Sequence, residues 1–104
     1  MTGIEQSEPC QCQIGRSYGD GYRIEQLLAR GGMAEVYTAR HELTDRVAAF
    51  KVLNRRYWKN DDIVRRARIE AKALARIDHP SVVRIFHAGD DPEVGLYIVM
   101  ELLG

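Results

Sequence analysis

The chain has 104 residues, 15 Lys plus Arg against 15 Asp plus Glu, with 45% hydrophobic and 29% charged content. That length allows one domain with a modest core, and the composition is that of an ordinary globular chain rather than a disordered or fibrous one. Zero net charge argues against a general polyanion binder, so no nucleic-acid partner is expected; no apolar run reaches the roughly 20 residues of a membrane span and no signal-like start opens the chain, so a cytoplasmic location is expected.

Residues 1–21 carry Glu, Gln, Ser, Pro and Gly with almost no periodic apolar positions, and read as a flexible leader. Cys10 and Cys12 within it are too few for a disulfide framework and lack the further Cys or His of a zinc site, so they read as incidental thiols. Folding is expected to begin at Tyr22. Residues 22–30 read as a strand and 35–40 as its antiparallel return, and "HELTDR" reads as a turn into a third strand over 47–53. Between the first two strands lies "ARGGMAEV", with adjacent Gly31 and Gly32 and no helix start after them. A dinucleotide-binding turn would lead into a helix, so that reading fails here. Asp61 and Asp62 offer an N-cap for a helix beginning near Ile63, which should end before "DHPSVV" because Pro80 disfavours helical geometry at His79. Two further strands, 82–88 and 96–102, flank the turn-like "GDDPEVG". The expected fold is α+β, a five-stranded antiparallel sheet with one helix.

Two charges stand on apolar faces. Alternation in 47–53 puts Ala49, Lys51 and Leu53 on one side and Ala48, Phe50 and Val52 on the other. In the helix, Ile63, Ala67, Leu74 and Ile77 form one stripe, and Glu70 lies in it, while the basic residues between Arg55 and Arg76 mostly occupy the solvated faces. An ion pair between Lys51 and Glu70 would lessen the cost of burying either charge. The plain alternatives are that Lys51 snorkels to water from its strand and that Glu70 reaches solvent or bonds a backbone amide.

With these residues in view, 22–104 resembles the N-terminal lobe of Hanks-type Ser/Thr protein kinases, most closely bacterial ones. The glycine-rich loop G-x-G-x-x-G-x-V corresponds to "ARGGMAEV", with Ala29, Gly31 and Ala34 at the glycine positions and Val36 at the valine. "AAFK" corresponds to the strand-three motif and places Lys51 at the lysine that contacts the α- and β-phosphates of ATP, and Glu70 at the αC glutamate that pairs with it. "DHPSVVRIFHAG" is similar to the segment after αC, with Ser81 where the family has asparagine, and "LYIVMELLG" looks like strand five entering the hinge. The resemblance implies that Leu28, Val36, Ala49, Val83 and Met100 enclose adenine, with Met100 as gatekeeper and the backbone of Glu101 to Leu103 reading the base. Each of these also has a plain core reading. Ala29 and Ala34 depart from glycine, and alanine restricts positive φ and adds a methyl. Trp58 reads as a packing or surface aromatic, His79 resembles the family's structural histidine, and His41 and His87 suggest no ligand geometry.

The family's catalytic Asp and its magnesium-holding Asn and Asp belong to the C-terminal lobe, and no His-Arg-Asp or Asp-Phe-Gly segment occurs here. No catalytic or metal residue is therefore assigned in this chain. The resemblance implies a serine/threonine kinase present as an ATP-binding N-lobe, inefficient at phosphoryl transfer and weak in ATP binding by itself, with Mg2+ engaged only in a complete kinase. Protein substrates are the implied partners. The alternative is an inactive interaction module that docks on a full-length kinase, and self-association through uncovered apolar surface is expected.

Overall fold

The computed structural model describes residues 10–76 and 84–102. Strands β1 (Ser17–Tyr18), β2 (Tyr22–Arg30), β3 (Ala34–His41) and β4 (Val47–Leu53) are followed by helix α1 (Asp61–Arg76), then β5 (Ile85–Asp91) and β6 (Gly95–Glu101). All pairings are antiparallel, in the order β1-β2-β3-β4-β6-β5. Six strands therefore stand where five were expected. The helix is joined to β4 by a 3-10 turn over Arg55–Tyr57, and it is not long and apolar enough to cross a membrane.

The added strand arises in the segment expected to be a flexible leader. From residue 10 onward that segment is packed: Cys12 and Tyr18 are buried, and Gly15 N–H donates to Ile24 O at 2.8 Å while Ile24 N–H donates to Arg16 O at 3.0 Å. The physical reason is that the outer face of the sheet needs a cover. Tyr37, Phe50, Val52, Tyr97 and Val99 share one core with Cys12, Tyr18, Tyr22 and Ile24. Phe50 and Tyr97 stack with ring centroids 5.1 Å apart. Folding thus draws in residues well before Tyr22.

Other boundaries shift by local chemistry. Asn60 caps α1, its Oδ1 accepting from Ile63 N–H at 3.1 Å, so Asp61 and Asp62 occupy the first turn rather than the cap. There they still oppose the positive end of the helix dipole. Strand β5 runs to Asp91 because its ladder with β6 continues through Asp90↔Leu96 and Asp91↔Gly95, and only residues 92–94 turn. At that turn Gly95 has φ +80°, and a Cβ there would stand 2.6 Å from the Trp58 ring. Trp58 Nε1–H donates to Leu53 O at 3.2 Å, so the indole locks the end of β4 to the start of β6. His41 Nδ1 accepts from the N–H groups of Leu43 and Thr44 in the β3–β4 turn, and His87 bonds the Tyr97 hydroxyl at 2.9 Å.

Candidate functional site: the sheet face around Lys51

The inner face of the sheet is set by register. Val36 lies opposite Lys51, Thr38 opposite Ala49 and Ala34 opposite Leu53. Lys51 in turn lies opposite Ile98 and Ala49 opposite Met100, while Ala29 pairs with Val36. Since cross-strand partners share a face, Ala29, Val36, Ala49, Lys51 and Met100 stand side by side. Leu28 falls at a β-bulge between Leu27 and Ala29 and is 46% exposed. Glu101 is exposed at the end of β6, its N–H donating to Arg84 O at 2.8 Å. Val83 and Leu103, together with Ser81, His79 and Ile77, lie outside the described residues.

The glycine hairpin is closed by Gly31 N–H donating to Ala34 O at 2.9 Å. Asp45 is the one described non-glycine residue with positive φ, so neither Ala29 nor Ala34 needs a left-handed backbone and neither is strained by its methyl. A Cβ on Gly32 would meet nothing within 4 Å, and one on Gly31 only Ala34 O at 3.6 Å. The hairpin's own geometry therefore does not demand these glycines.

A hollow of about 310 Å³ lies between α1 and the sheet. It is lined by Lys51 and Glu70, by Ala34 and Met33 of the hairpin, by Leu53, Leu96 and Ile98 of the sheet, and by Ile63, Arg66 and Ala67 of the helix. It takes in Lys51 from the helix side, whereas Leu28, Val36, Ala49 and Met100 lie along the sheet beyond that lysine. Met33, Leu96 and Ile98 were not singled out in the sequence, and Arg66, grouped there with the basic residues of the solvated faces, is exposed yet edges the hollow.

The expected ion pair is corrected. Among the described residues no ion pair joins Lys51 to Glu70. Lys51 is half-buried and Glu70 is exposed although it edges the hollow. The helix meets β5 through Arg68, whose guanidinium lies 2.6 Å from Asp90, and a hollow stands between its inner side and β4. Both charges keep water, so neither needs the other.

A buried charge does exist, at Glu35, which is 3% exposed on the outer face. Its carboxylate takes Arg30 Nε at 2.9 Å, Gln11 N–H at 3.1 Å and the Tyr37 hydroxyl. Burial, and then the bond to Glu35, push the Tyr37 phenol up from its ordinary range. Burial and then the negative charge of Glu35 push the Cys12 thiol up to about 12. Alternation in "EVYTA" puts Glu35 in phase with Tyr37 and Ala39, which was the signal available for finding it. Among the described residues no group of His, Cys, Asp or Glu is arranged to hold a metal ion.

Residues 22–104 match the family model described as protein kinase domain. The chain is 38% identical over 88 residues to the serine/threonine-protein kinase PrkC of Bacillus subtilis, covering 85% of this chain and 13% of that protein. It is 45% identical over 93 residues to the probable serine/threonine-protein kinase PknB of Lactococcus lactis, covering 88% of this chain and 14% of that protein. Among solved structures, the PknI kinase domain of Mycobacterium tuberculosis aligns at a TM-score of 0.73 and 27% identity, over 88% of this chain and 36% of that one. The chain thus spans a small part of the length of these relatives, all of it at the sheet-and-helix end of the fold. A glycine hairpin over a strand lysine, one helix across the same sheet and a family match through all of them make this chain a member of the protein kinase domain family.

Proposed function

We propose that the chain is the nucleotide-holding lobe of a serine/threonine protein kinase, binding ATP between the glycine hairpin and the sheet face of Val36, Ala49, Lys51 and Met100. The observation that carries this reading is the register: the hairpin's returning strand sets Val36 directly opposite Lys51, and Ala49 directly opposite Met100, on one face.

The residues fit the ligand chemically. Lys51 has no ion-pair partner among the described residues, so its ammonium is available to phosphate oxygens. Gly31 and Gly32 keep open space where side chains would stand, which lets backbone amides approach an anion closely. Apolar Val36, Ala49 and Met100 suit the faces of a planar base. When bound, ATP supplies the phosphoryl group; the residues here hold and orient it. The aspartate and magnesium ligands of the reaction belong to the other lobe of the family fold, so phosphoryl transfer is assigned to the whole kinase and ATP binding to this part. Protein Ser and Thr hydroxyls are the proposed acceptors.

The reading is tested by titrating ATP into isotope-labelled chain and following amide resonances. Shifts at Gly31, Gly32, Val36 and Lys51, lost in Lys51→Met, are expected. Shifts scattered over α1 and the outer face, or an unchanged response in Lys51→Met, would overturn it. A second reading, docking on another kinase chain, is favoured by Ile69, which is 57% exposed on α1. Sedimentation of wild type against Ile69→Asp tests it, since only a surface used for association loses mass on that change.

A further inference from the structure

We propose that Gln11 is a positioning residue for the glycine hairpin, its side chain clamping the end of β4 and its backbone N–H meeting Glu35, so that residues 10–12 form a strap that sets the hairpin's height over Lys51. This rests on the nucleotide reading above for its functional consequence, though not for its structural part.

The strap touches every element that flanks the hairpin. Gln11 Nε2–H donates to Leu53 O at 2.9 Å and Gln11 Oε1 accepts from Arg55 N–H at 2.8 Å, so one side chain closes the end of the strand that carries Lys51. The N–H of the same residue donates to Glu35 at 3.1 Å. Glu35 lies opposite Arg30 at the base of the hairpin and holds its guanidinium at 2.9 Å. Cys12 N–H donates to the Tyr37 hydroxyl at 3.2 Å, and that hydroxyl in turn bonds Glu35. The hairpin tip is bound to the same end of β4, Asn54 N–H donating to Met33 O at 2.7 Å.

A carboxylate this buried is held in place by the donors around it, because leaving any of its oxygens unsatisfied costs desolvation energy that water cannot return. Moving the strap therefore moves Glu35, and with it both strands at the hairpin base. Gln11 lies outside residues 22–104 that match the kinase family model. The strap is thus a feature of this chain that the family match does not account for, and it couples the preceding segment to the nucleotide face.

The test uses the full chain and the variant Gln11→Ala, which keeps the backbone donor to Glu35 but removes both side-chain bonds. Amide exchange at Gly31 and Asn54, the two amides whose bonds define the hairpin, is expected to rise about three- to tenfold, the scale of one or two hydrogen bonds. Phe50 and Val99 should keep their protection. Affinity for ATP should fall by a similar factor while affinity for adenosine stays unchanged, because only phosphates lie under the hairpin. Gln11→Glu, which retains the acceptor for Arg55 but not the donor for Leu53, should be intermediate. Unchanged exchange at Gly31 and Asn54, or equal acceleration through β4 and β6, overturns the proposal, as does equal weakening of ATP and adenosine. If wild type binds neither ligand, the nucleotide reading fails alone and the exchange result still decides whether the strap holds the hairpin.

Discussion

Lys51 and Glu70 edge the same hollow between β4 and α1 without forming an ion pair. A buried pair broken from one side typically costs about 3–5 kcal/mol, because the remaining charge is stranded away from water. Glu70 is exposed and strands nothing. Glu70→Gln should therefore change the unfolding free energy by no more than about 0.5 kcal/mol, the scale of ordinary surface substitutions. Urea unfolding of the chain without nucleotide measures this, and a loss above about 2 kcal/mol would mean that the pair forms in solution after all.

Glycines in the two hairpins should differ in their tolerance of alanine. Gly95 has φ +80° and an added methyl would sit 2.6 Å from the Trp58 ring, whose nitrogen is fixed on Leu53 O. Backbone strain and overpacking add there, so Gly95→Ala should destabilise by about 2–4 kcal/mol. Gly32 meets nothing within 4 Å and has no positive φ. Gly32→Ala should leave the thermal midpoint within a few degrees of wild type, and on the nucleotide reading it should weaken ATP without changing the fold. Paired thermal melts and ATP titrations separate the two sites.

The strength of the lobe lies on its outer face rather than under the helix. Phe50 is fully buried, stacks on Tyr97 and faces Tyr18 with centroids 6.3 Å apart. Phe50→Ala should cost about 3–5 kcal/mol by lost transfer energy and cavity formation. The bridge from Arg68 to Asp90 is half-exposed on both sides, so Asp90→Ala should cost no more than about 1 kcal/mol. Equal losses in the two variants by denaturant titration would contradict this distribution.

The strands with clean alternation were legible: β2 and β4 start and stop where apolar periodicity and turn residues place them. The face shared by Ala49 and Lys51 followed from the same period. What was not legible depended on contacts distant in sequence. Ser17–Tyr18 is too short to show a period, and Cys12 stands alone among Gln residues, yet both find the outer face of a sheet that forms later in the chain. Asp90 and Asp91 look like turn residues and are strand residues because β6 pairs with them. Glu70 sits in the apolar stripe by phase, but phase cannot show how far the helix stands from the sheet. Glu35 was in the apolar phase of its own strand, and its partners Gln11 and Arg30 come from segments that a local reading treats separately.

Rising alkaline pH should lower the stability of the lobe through Cys12. Burial, reinforced by the negative charge of Glu35, raises its thiol from an ordinary value of 9.0 to about 12. The folded protein holds that proton more tightly than the unfolded chain, so unfolding between pH 9 and about 12 releases a proton and stability falls as pH rises through that range. Below pH 9 both states keep the proton and this contribution is constant. Tyr37, raised above its ordinary 10.0 by burial and then by its bond to Glu35, acts with the same sign. Cys12→Ala should flatten part of the decline while lowering stability at neutral pH through the lost packing. The same burial sorts the two thiols. Cys10 is exposed and should react with a thiol reagent at about pH 8, whereas Cys12 should react only at the rate of unfolding. One fast equivalent, then a second that appears with denaturant, is the expected titration, and two fast equivalents in the native chain would show that residues 10–12 do not stay packed against the sheet.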